Sequence, residues 1–282
     1  MKTLAEILSL SAQHLMQKGI SQARRDAEDL MASVLKLTRL DLYLYFDRPI
    51  EERELNELRD RLSRRAKGEP LQYIVGGVDF YHCRFKVSPA VLIPRQETEI
   101  LVDKVFKELQ KRDLKGKSLL DLCCGSGCIS ISLKKQFPEL QVVATDISFD
   151  ALKIAKENSQ SNHVEIELLQ GDFLDAVHGR QFDFVVCNPP YISEVDFARL
   201  ENSVKGFEPM QALLAPDQGL SFYKRFARNG RSVLRSGGAV WFEIGYNQGE
   251  SMKEIFLQPY WKNPLLEKDW SGKDRFFSLE TE

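Results

Sequence analysis

The sequence predicts an α/β protein in which a mostly parallel sheet is covered by helices on both faces. A small all-helical segment and a β-hairpin linker precede the sheet. Three observations carry this reading. From about Ile93 onward, short apolar runs alternate with amphipathic ones, the pattern of strand–helix–strand units. Before Glu69 the apolar residues repeat only with helical period. Between the two, Pro70, the Gly76-Gly77 pair and Pro89 punctuate short β-like runs. The boundaries expected are residues 1–69 for a helical domain, 70–92 for the linker and 93–282 for the sheet domain.

In the first segment, Thr3 and Glu6 have the spacing of a capping box, in which each side chain meets an open backbone N–H of the other residue. Leu4, Ile7 and Leu8 then mark one helical face, and Ala27, Leu30, Met31, Val34 and Leu35 mark another. Thr38 and Asp41 form a second cap. The stretch 51–69 is dense in charge, yet Leu55, Leu58 and Leu62 line one side. Its arginines 59, 61, 64 and 65 read as a solvated helix face, with a partner-binding surface as the sharper alternative. In the linker, 72–75, 78–81 and 84–87 read as β-like. The sheet domain is predicted to run strand 118–123, helix 127–136, strand 141–145, helix 149–159, strands 164–169 and 182–187, helix 220–234 and strand 238–245.

Composition narrows the function classes. The 282 residues suit one large domain or two ordinary ones, and 43% hydrophobic with 28% charged residues is ordinary for a folded globular chain. Lys plus Arg is 39 against 41 for Asp plus Glu, a net charge of -2. That lacks the basic excess of a protein that wraps duplex nucleic acid, so no direct nucleic-acid partner is expected. No apolar run approaches the ~20 residues of a membrane span. The N-terminal stretch reads as no signal peptide, since it carries Glu6 and has no small-residue cleavage site. Five cysteines, three of them crowded between Cys123 and Cys128, make no disulfide framework, and a cytoplasmic location is expected. Neither the cysteines nor the histidines at 14, 82, 163 and 178 have metal-ligand spacing, and no metal is expected.

The segment DLCCGSG at 121–127 lies where the first strand of the sheet domain meets its helix. Gly125 and Gly127 let the backbone approach a ligand and open a helix whose free N–H groups face it. Asp146 ends the second strand, 19 residues after Gly127, about the offset at which dinucleotide folds place a ribose-binding acid. An adenosine-bearing cofactor is therefore expected at the carboxyl ends of the strands. Ser130 stands where the dinucleotide fingerprint has its third small residue, so no pyrophosphate site is implied. S-adenosylmethionine, which has no phosphates, fits better. Asp121 could serve its amino group, and Asp172 with Phe173 its adenine; helix or turn capping competes for both acids.

NPPY at 188–191 directly follows the fourth strand. An amide or aniline-like NH2 is a poor nucleophile because its lone pair is delocalised. Two acceptors gripping its N–H bonds favour the pyramidal nitrogen that can attack a methyl group. The Asn188 oxygen is one acceptor, a carbonyl of the rigid Pro189-Pro190 stretch is a second, and Tyr191 offers a flat wall. Taken alone, Asn-Pro-Pro could equally be a proline-rich turn.

Together these residues resemble the HemK/PrmC-type release-factor glutamine methyltransferases over nearly the whole length. The matching segments are PLQYIVGGVDFY (70–81), VLIPRQETE (91–99), DLCCGSG, Asp146, NPPYI (188–192), FEP (207–209), DQGLSFY (217–223), FEIG (242–245) and DR (274–275). The resemblance implies a seven-stranded, Rossmann-like class I methyltransferase domain behind a helical domain and a hairpin. It implies methylation of the glutamine of the Gly-Gly-Gln motif in class I peptide-chain release factors, with S-adenosyl-L-methionine as donor. By resemblance the cofactor loop is Cys123, Cys124, Gly125, Ser126 and Gly127, the ribose acid Asp146, the adenine-side residue Phe173 and the substrate grip Asn188 to Tyr191. A monomer is expected. NPPY is shared with adenine and cytosine amino-methyltransferases, so a DNA or RNA base, or a ribosomal-protein glutamine, is the alternative substrate; a non-catalytic adaptor and a nicotinamide dehydrogenase fit less well. The family loop usually begins Asp-Leu-Gly, whereas Cys123 stands here. The expectation is that Cys123 takes a negative φ and leaves the cofactor site intact.

Overall fold

The computed structural model describes residues 2–282. In chain order, α1 (Leu4–Gln17), α2 (Ala23–Leu35), α3 (Arg39–Leu44), α4 (Glu52–Ala66) and α5 (Leu71–Val75) come first. β1 (Gly77–Phe80), β2 (Cys83–Lys86) and α6 (Gln96–Leu109) follow, then β3 (Ser118–Leu122), α7 (Cys128–Gln136), β4 (Gln141–Asp146), α8 (Phe149–Ser161), β5 (Glu167–Gln170) and β6 (Phe182–Cys187). The chain closes with α9 (Glu194–Arg199), α10 (Asn202–Lys205), α11 (Ser221–Asn229), β7 (Leu234–Glu243), α12 (Gly249–Ile255), β8 (Trp261–Lys268) and β9 (Asp274–Thr281).

These elements form two compact units. One takes in the chain up to Gly76 together with Glu201–Phe207; the other takes in Gly77–Leu200 and Glu208–Glu282. In the helical unit both capping boxes form: Thr3 with Glu6, and Thr38 with Asp41. Leu4, Leu8, Leu15, Leu30 and Met31 are fully buried in its core. Four of the five α4 arginines pair inside the unit. Arg59 pairs with Glu52, Arg61 with Glu57, Arg64 with Glu69 and Arg65 with Asp26. One expectation fails here, since residues 72–75 are helical and not β. Pro70 presets φ at the start, and Gly76 closes the turn at φ +77 by donating to the Gln72 carbonyl. This end geometry, with Tyr73 and Ile74 buried, overrides the β preference of Ile74 and Val75.

The second unit is built on a seven-stranded sheet in the order β5-β4-β3-β6-β7-β9-β8. β9 runs antiparallel to both its neighbours, and the other pairings are parallel. Every residue of β3 and β6 is buried, as strands covered on both faces require. Leu119 joins the core under α6, α7 and α8, while Leu120 and Leu122 join the opposite core under α11 and α12. The chain runs outward from β3 to β5, then returns to β6 beside β3. That reversal opens the crevice at the carboxyl ends of β3 and β6 where such sheets bind ligands. The hairpin β1–β2 is tied to α8: Asn158 accepts from the Lys86 N–H at 2.7 Å and donates to its carbonyl at 3.0 Å. Two elements are shorter or earlier than expected. β5 spans only Glu167–Gln170, and the chain leaves α11 at Asn229 through a 3-10 turn so that β7 opens at Leu234.

Candidate active site

The loop after β3 turns left-handed three times, at Cys123 (φ +60), Gly125 (φ +54) and Gly127 (φ +77). The negative φ expected of Cys123 is therefore wrong. The alternation of the loop demands αL at position 123 as at 125 and 127, and the cysteine accepts the strain of a Cβ there. The two glycines are needed for different reasons. A Cβ on Gly125 would meet nothing within 4 Å, so only its conformation matters. A Cβ on Gly127 would stand 2.9 Å from Ile131 and 3.3 Å from Ala155, so α7 and α8 pack against the bare backbone. The loop is fastened to the end of β4. The Cys124 N–H donates to the Thr145 carbonyl at 2.9 Å, and the Gly125 N–H to Asp146 Oδ2 at 2.8 Å. The carbonyl of buried Ser126 accepts from Asn158 Nδ2 at 2.9 Å.

Asp146 receives the Ser148 N–H on its other oxygen at 2.9 Å. Burial raises its pKa, against the pull of these backbone donors. Asp121 is fully buried. Its Oδ2 caps α7 by accepting the Ser130 N–H at 3.0 Å, and its Oδ1 has no partner among the described residues. Burial is the main cause that lifts its pKa to about 7, and the charge of Asp146 adds to it. Phe173 is buried at φ +57, with its ring 5.3 Å from that of Phe222 and the Arg225 guanidinium 5.3 Å above it. Asp172 is exposed and pairs with Arg225 at 2.9 Å; its side chain caps nothing.

A single cavity is lined by Cys123, Cys124, Gly125, Ser126, Asp146, Asp172, Phe173, Asn188 and Pro190. Asp121 and Gly127 lie outside that lining, and so do Pro189 and Tyr191. The Tyr191 hydroxyl instead donates to Glu243 Oε1 at 3.1 Å, and burial pushes its pKa well above the ordinary tyrosine range. Asn188 Nδ2 donates to Thr98 Oγ1 at 3.1 Å, and Thr98 Oγ1 donates to Glu243 Oε2 at 2.7 Å. Arg275 Nη1 reaches the Tyr191 oxygen at 3.4 Å and the Ile244 carbonyl at 3.1 Å. Another buried acid, Glu208, accepts the Ile93 N–H at 3.1 Å and pairs with Arg95, which fixes the strip before α6 that also borders the cavity. Thr98, Glu208, Glu243 and Arg275 were not expected in the site. Each lies in a segment quoted for the family resemblance, which was the one signal available for them.

The cavity sits at the sheet's crossover crevice, with an adenosine-type loop on one side and an amide on the other. This is the class of S-adenosylmethionine-dependent methyltransferases. A crystal structure of a methyltransferase from Pyrococcus furiosus shares the fold, with a TM-score of 0.52 and 15% identity over 78% of this chain and 98% of that one. Residues 96–202 match the methyltransferase small domain and residues 6–76 the PrmC N-terminal domain. The release factor glutamine methyltransferase of Chlamydia trachomatis is 38% identical over 279 residues, 99% of this chain and 94% of that one. That of Chlorobaculum tepidum is 39% identical over 98% of this chain and 96% of that one. The chain belongs to the release factor glutamine methyltransferases. S-adenosylmethionine is its methyl donor.

Proposed function

We propose that this enzyme methylates the side-chain nitrogen (N5) of the glutamine in the Gly-Gly-Gln motif of class I peptide-chain release factors. The observation that carries this reading is the Asn188 amide. Its Nδ2 is turned into the protein toward Thr98, which leaves Oδ1 as the acceptor for a substrate N–H. Pro189 and Pro190 restrict the backbone that supplies the second acceptor. Tyr191, anchored through its hydroxyl, stiffens the strip; the flat-wall role assigned to it belongs better to Pro190, which lines the cavity. The methylated nitrogen is acidic and loses its proton to water, so no strong base is needed beside it.

The residues present suit the donor. Asp146 has one oxygen fixed by the Gly125 N–H of the loop and the other by the Ser148 N–H after β4, with lone pairs to spare for ribose hydroxyls, and Phe173 covers the adenine side. The unpartnered Asp121 Oδ1 is the acceptor for the amino group, and the bare side of Gly125 admits the ligand to the backbone. Bound there, S-adenosylmethionine supplies a methyl group made electrophilic by a positive sulfur. Holding the nitrogen in line with that methyl lowers the barrier through orientation.

The partner is a protein and not a nucleic acid, a reading supported by the balanced charge and by the internal pairing of Arg59, Arg61, Arg64 and Arg65 in α4. The enzyme acts as a monomer in the cytoplasm. Mass spectrometry of purified release factor before and after treatment should show one added methyl on that glutamine. Label from the cofactor appearing only in RNA, DNA or ribosomal protein would overturn the reading. Asn188→Ala should lower turnover by about a hundredfold or more while cofactor affinity stays within a few fold.

A further inference from the structure

We propose that Thr98 and Glu243 are positioning residues that set which way round the Asn188 amide points; this rests on reading Asn188 as the grip on the substrate nitrogen. A terminal amide can turn by half a rotation and exchange its oxygen for its NH2 at little intrinsic cost. For a substrate NH2 the two orientations are opposites. One offers an acceptor, the other sets N–H against N–H. Something must choose between them.

Thr98 by itself chooses neither, because a hydroxyl both donates and accepts. Glu243 decides. Its Oε2 lies 2.7 Å from Thr98 Oγ1, and a carboxylate has no proton to give, so the Thr98 hydrogen points at Glu243. The lone pairs of Thr98 are then left for Asn188, which must present its NH2 at 3.1 Å and turn its oxygen away. Little of this pair meets solvent, since Thr98 and Glu243 are each only 2% exposed.

The carboxylate is fixed in turn. Tyr191 donates to its other oxygen at 3.1 Å, and Arg275 supplies a positive charge beside both. Burial raises the pKa of Glu243, while the Thr98 and Tyr191 hydrogen bonds and the Arg275 charge oppose that rise. Arg275 is held by Asp269 at 3.3 Å and by the Ile244 carbonyl. The order of donors therefore runs one way, from Asn188 to Thr98 to Glu243. The residues lie at the start of α6, the end of β6 and the end of β7, three elements that the sheet brings to one edge of the cavity.

The test uses the full-length enzyme with release factor as substrate. Thr98→Val keeps the shape and removes the hydroxyl; Glu243→Gln keeps the shape and can donate to Thr98, reversing the order. Each should lower kcat by about tenfold or more, with cofactor affinity by calorimetry unchanged within a few fold. Thr98→Ser should restore turnover to within a few fold. The side-chain NH2 signals of Asn188 in 15N–1H spectra of the cofactor-free protein, assigned by their loss in Asn188→Ala, should shift in Thr98→Val and return in Thr98→Ser. Wild-type kcat and unmoved Asn188 signals in both Thr98→Val and Glu243→Gln would overturn the inference. If Thr98→Val does not fold, Glu243→Gln carries the test by the same two readouts. Undiminished turnover in Asn188→Ala would sink the grip itself, a separate result from intact turnover in Thr98→Val alone.

Discussion

Cys123 is held at φ +60, where a side chain costs roughly 1–2 kcal/mol relative to glycine. The thiol recovers part of this by lying within hydrogen-bonding reach of Cys187, whose own pKa burial and this contact push up. Glycine at 123 would remove the strain but add chain entropy to the unfolded state, a cost of about 0.5–1 kcal/mol. Cys123→Gly is thus expected to change stability by no more than about 1 kcal/mol, in the stabilising direction, in urea denaturation. A loss of stability would show that the thiol's contacts outweigh the strain. Asp121 gives a pH signature. Its folded pKa of about 7 lies above the unfolded value, so its stabilising contribution is complete below about pH 4 and is lost as pH rises through about 7. A bound ammonium beside Oδ1 favours the charged form. Cofactor affinity should therefore rise between about pH 6 and pH 7.5 with release of a proton, seen as buffer-dependent heat in calorimetry. In Asp121→Asn that rise should disappear.

Among the secondary-structure elements, the NPPY strip is fixed by segments distant in sequence. Ile192 pairs with Leu214 in a short parallel bridge, and Gln248 Nε2 donates to the Tyr191 carbonyl at 3.0 Å. Gly219, at φ +84, lies so close that an added Cβ would stand 2.0 Å from the Tyr191 carbonyl oxygen and 2.7 Å from Gln248 Nε2. Gly116, at φ +71, has nothing within 4 Å of that position. Gly116→Ala should cost only the left-handed penalty of about 1 kcal/mol, whereas Gly219→Ala should cost at least about 3 kcal/mol and displace the strip. Chemical denaturation compares the two. Turnover should fall in Gly219→Ala and hold in Gly116→Ala, and equal costs would show that the strip yields freely. The matched segments DQGLSFY and FEIG thereby acquire a physical task, which is to hold NPPY from behind.

In the molecule as a whole, the helical unit closes its own core around Leu4, Leu8, Leu30 and Met31, and the sheet unit has two more. The helical unit is proposed to hold the release factor while its glutamine loop enters the site. Removing residues 1–69 should leave cofactor affinity within a few fold and lower methylation of the intact release factor by about tenfold or more. Equal methylation by the shortened chain would remove that role from the unit.

Local signals carried a long way. The capping boxes of α1 and α3, the glycine loop after β3 and the acid ending β4 each depend on residues a few positions apart or on the end of a single element. Such interactions are settled by neighbours along the chain, so they are legible in it. The turn at 71–75 was misread because its apolar residues suit a strand as well as a helix, and only the fit of Tyr73 and Ile74 into a core chooses. The sign of φ at Cys123 was misread because residue type favours a negative φ for a cysteine, whereas the loop turns left-handed at 123 as at 125 and 127. By itself the sequence determined the fold class and pointed to the glycine loop and Asn188, residues that the fold brings to one cavity. The tertiary structure alone decided which way that amide faces, because Thr98 stands 90 residues from Asn188 and 145 from Glu243, and hydrogen bonds of that span exist only once the sheet has brought α6, β6 and β7 together.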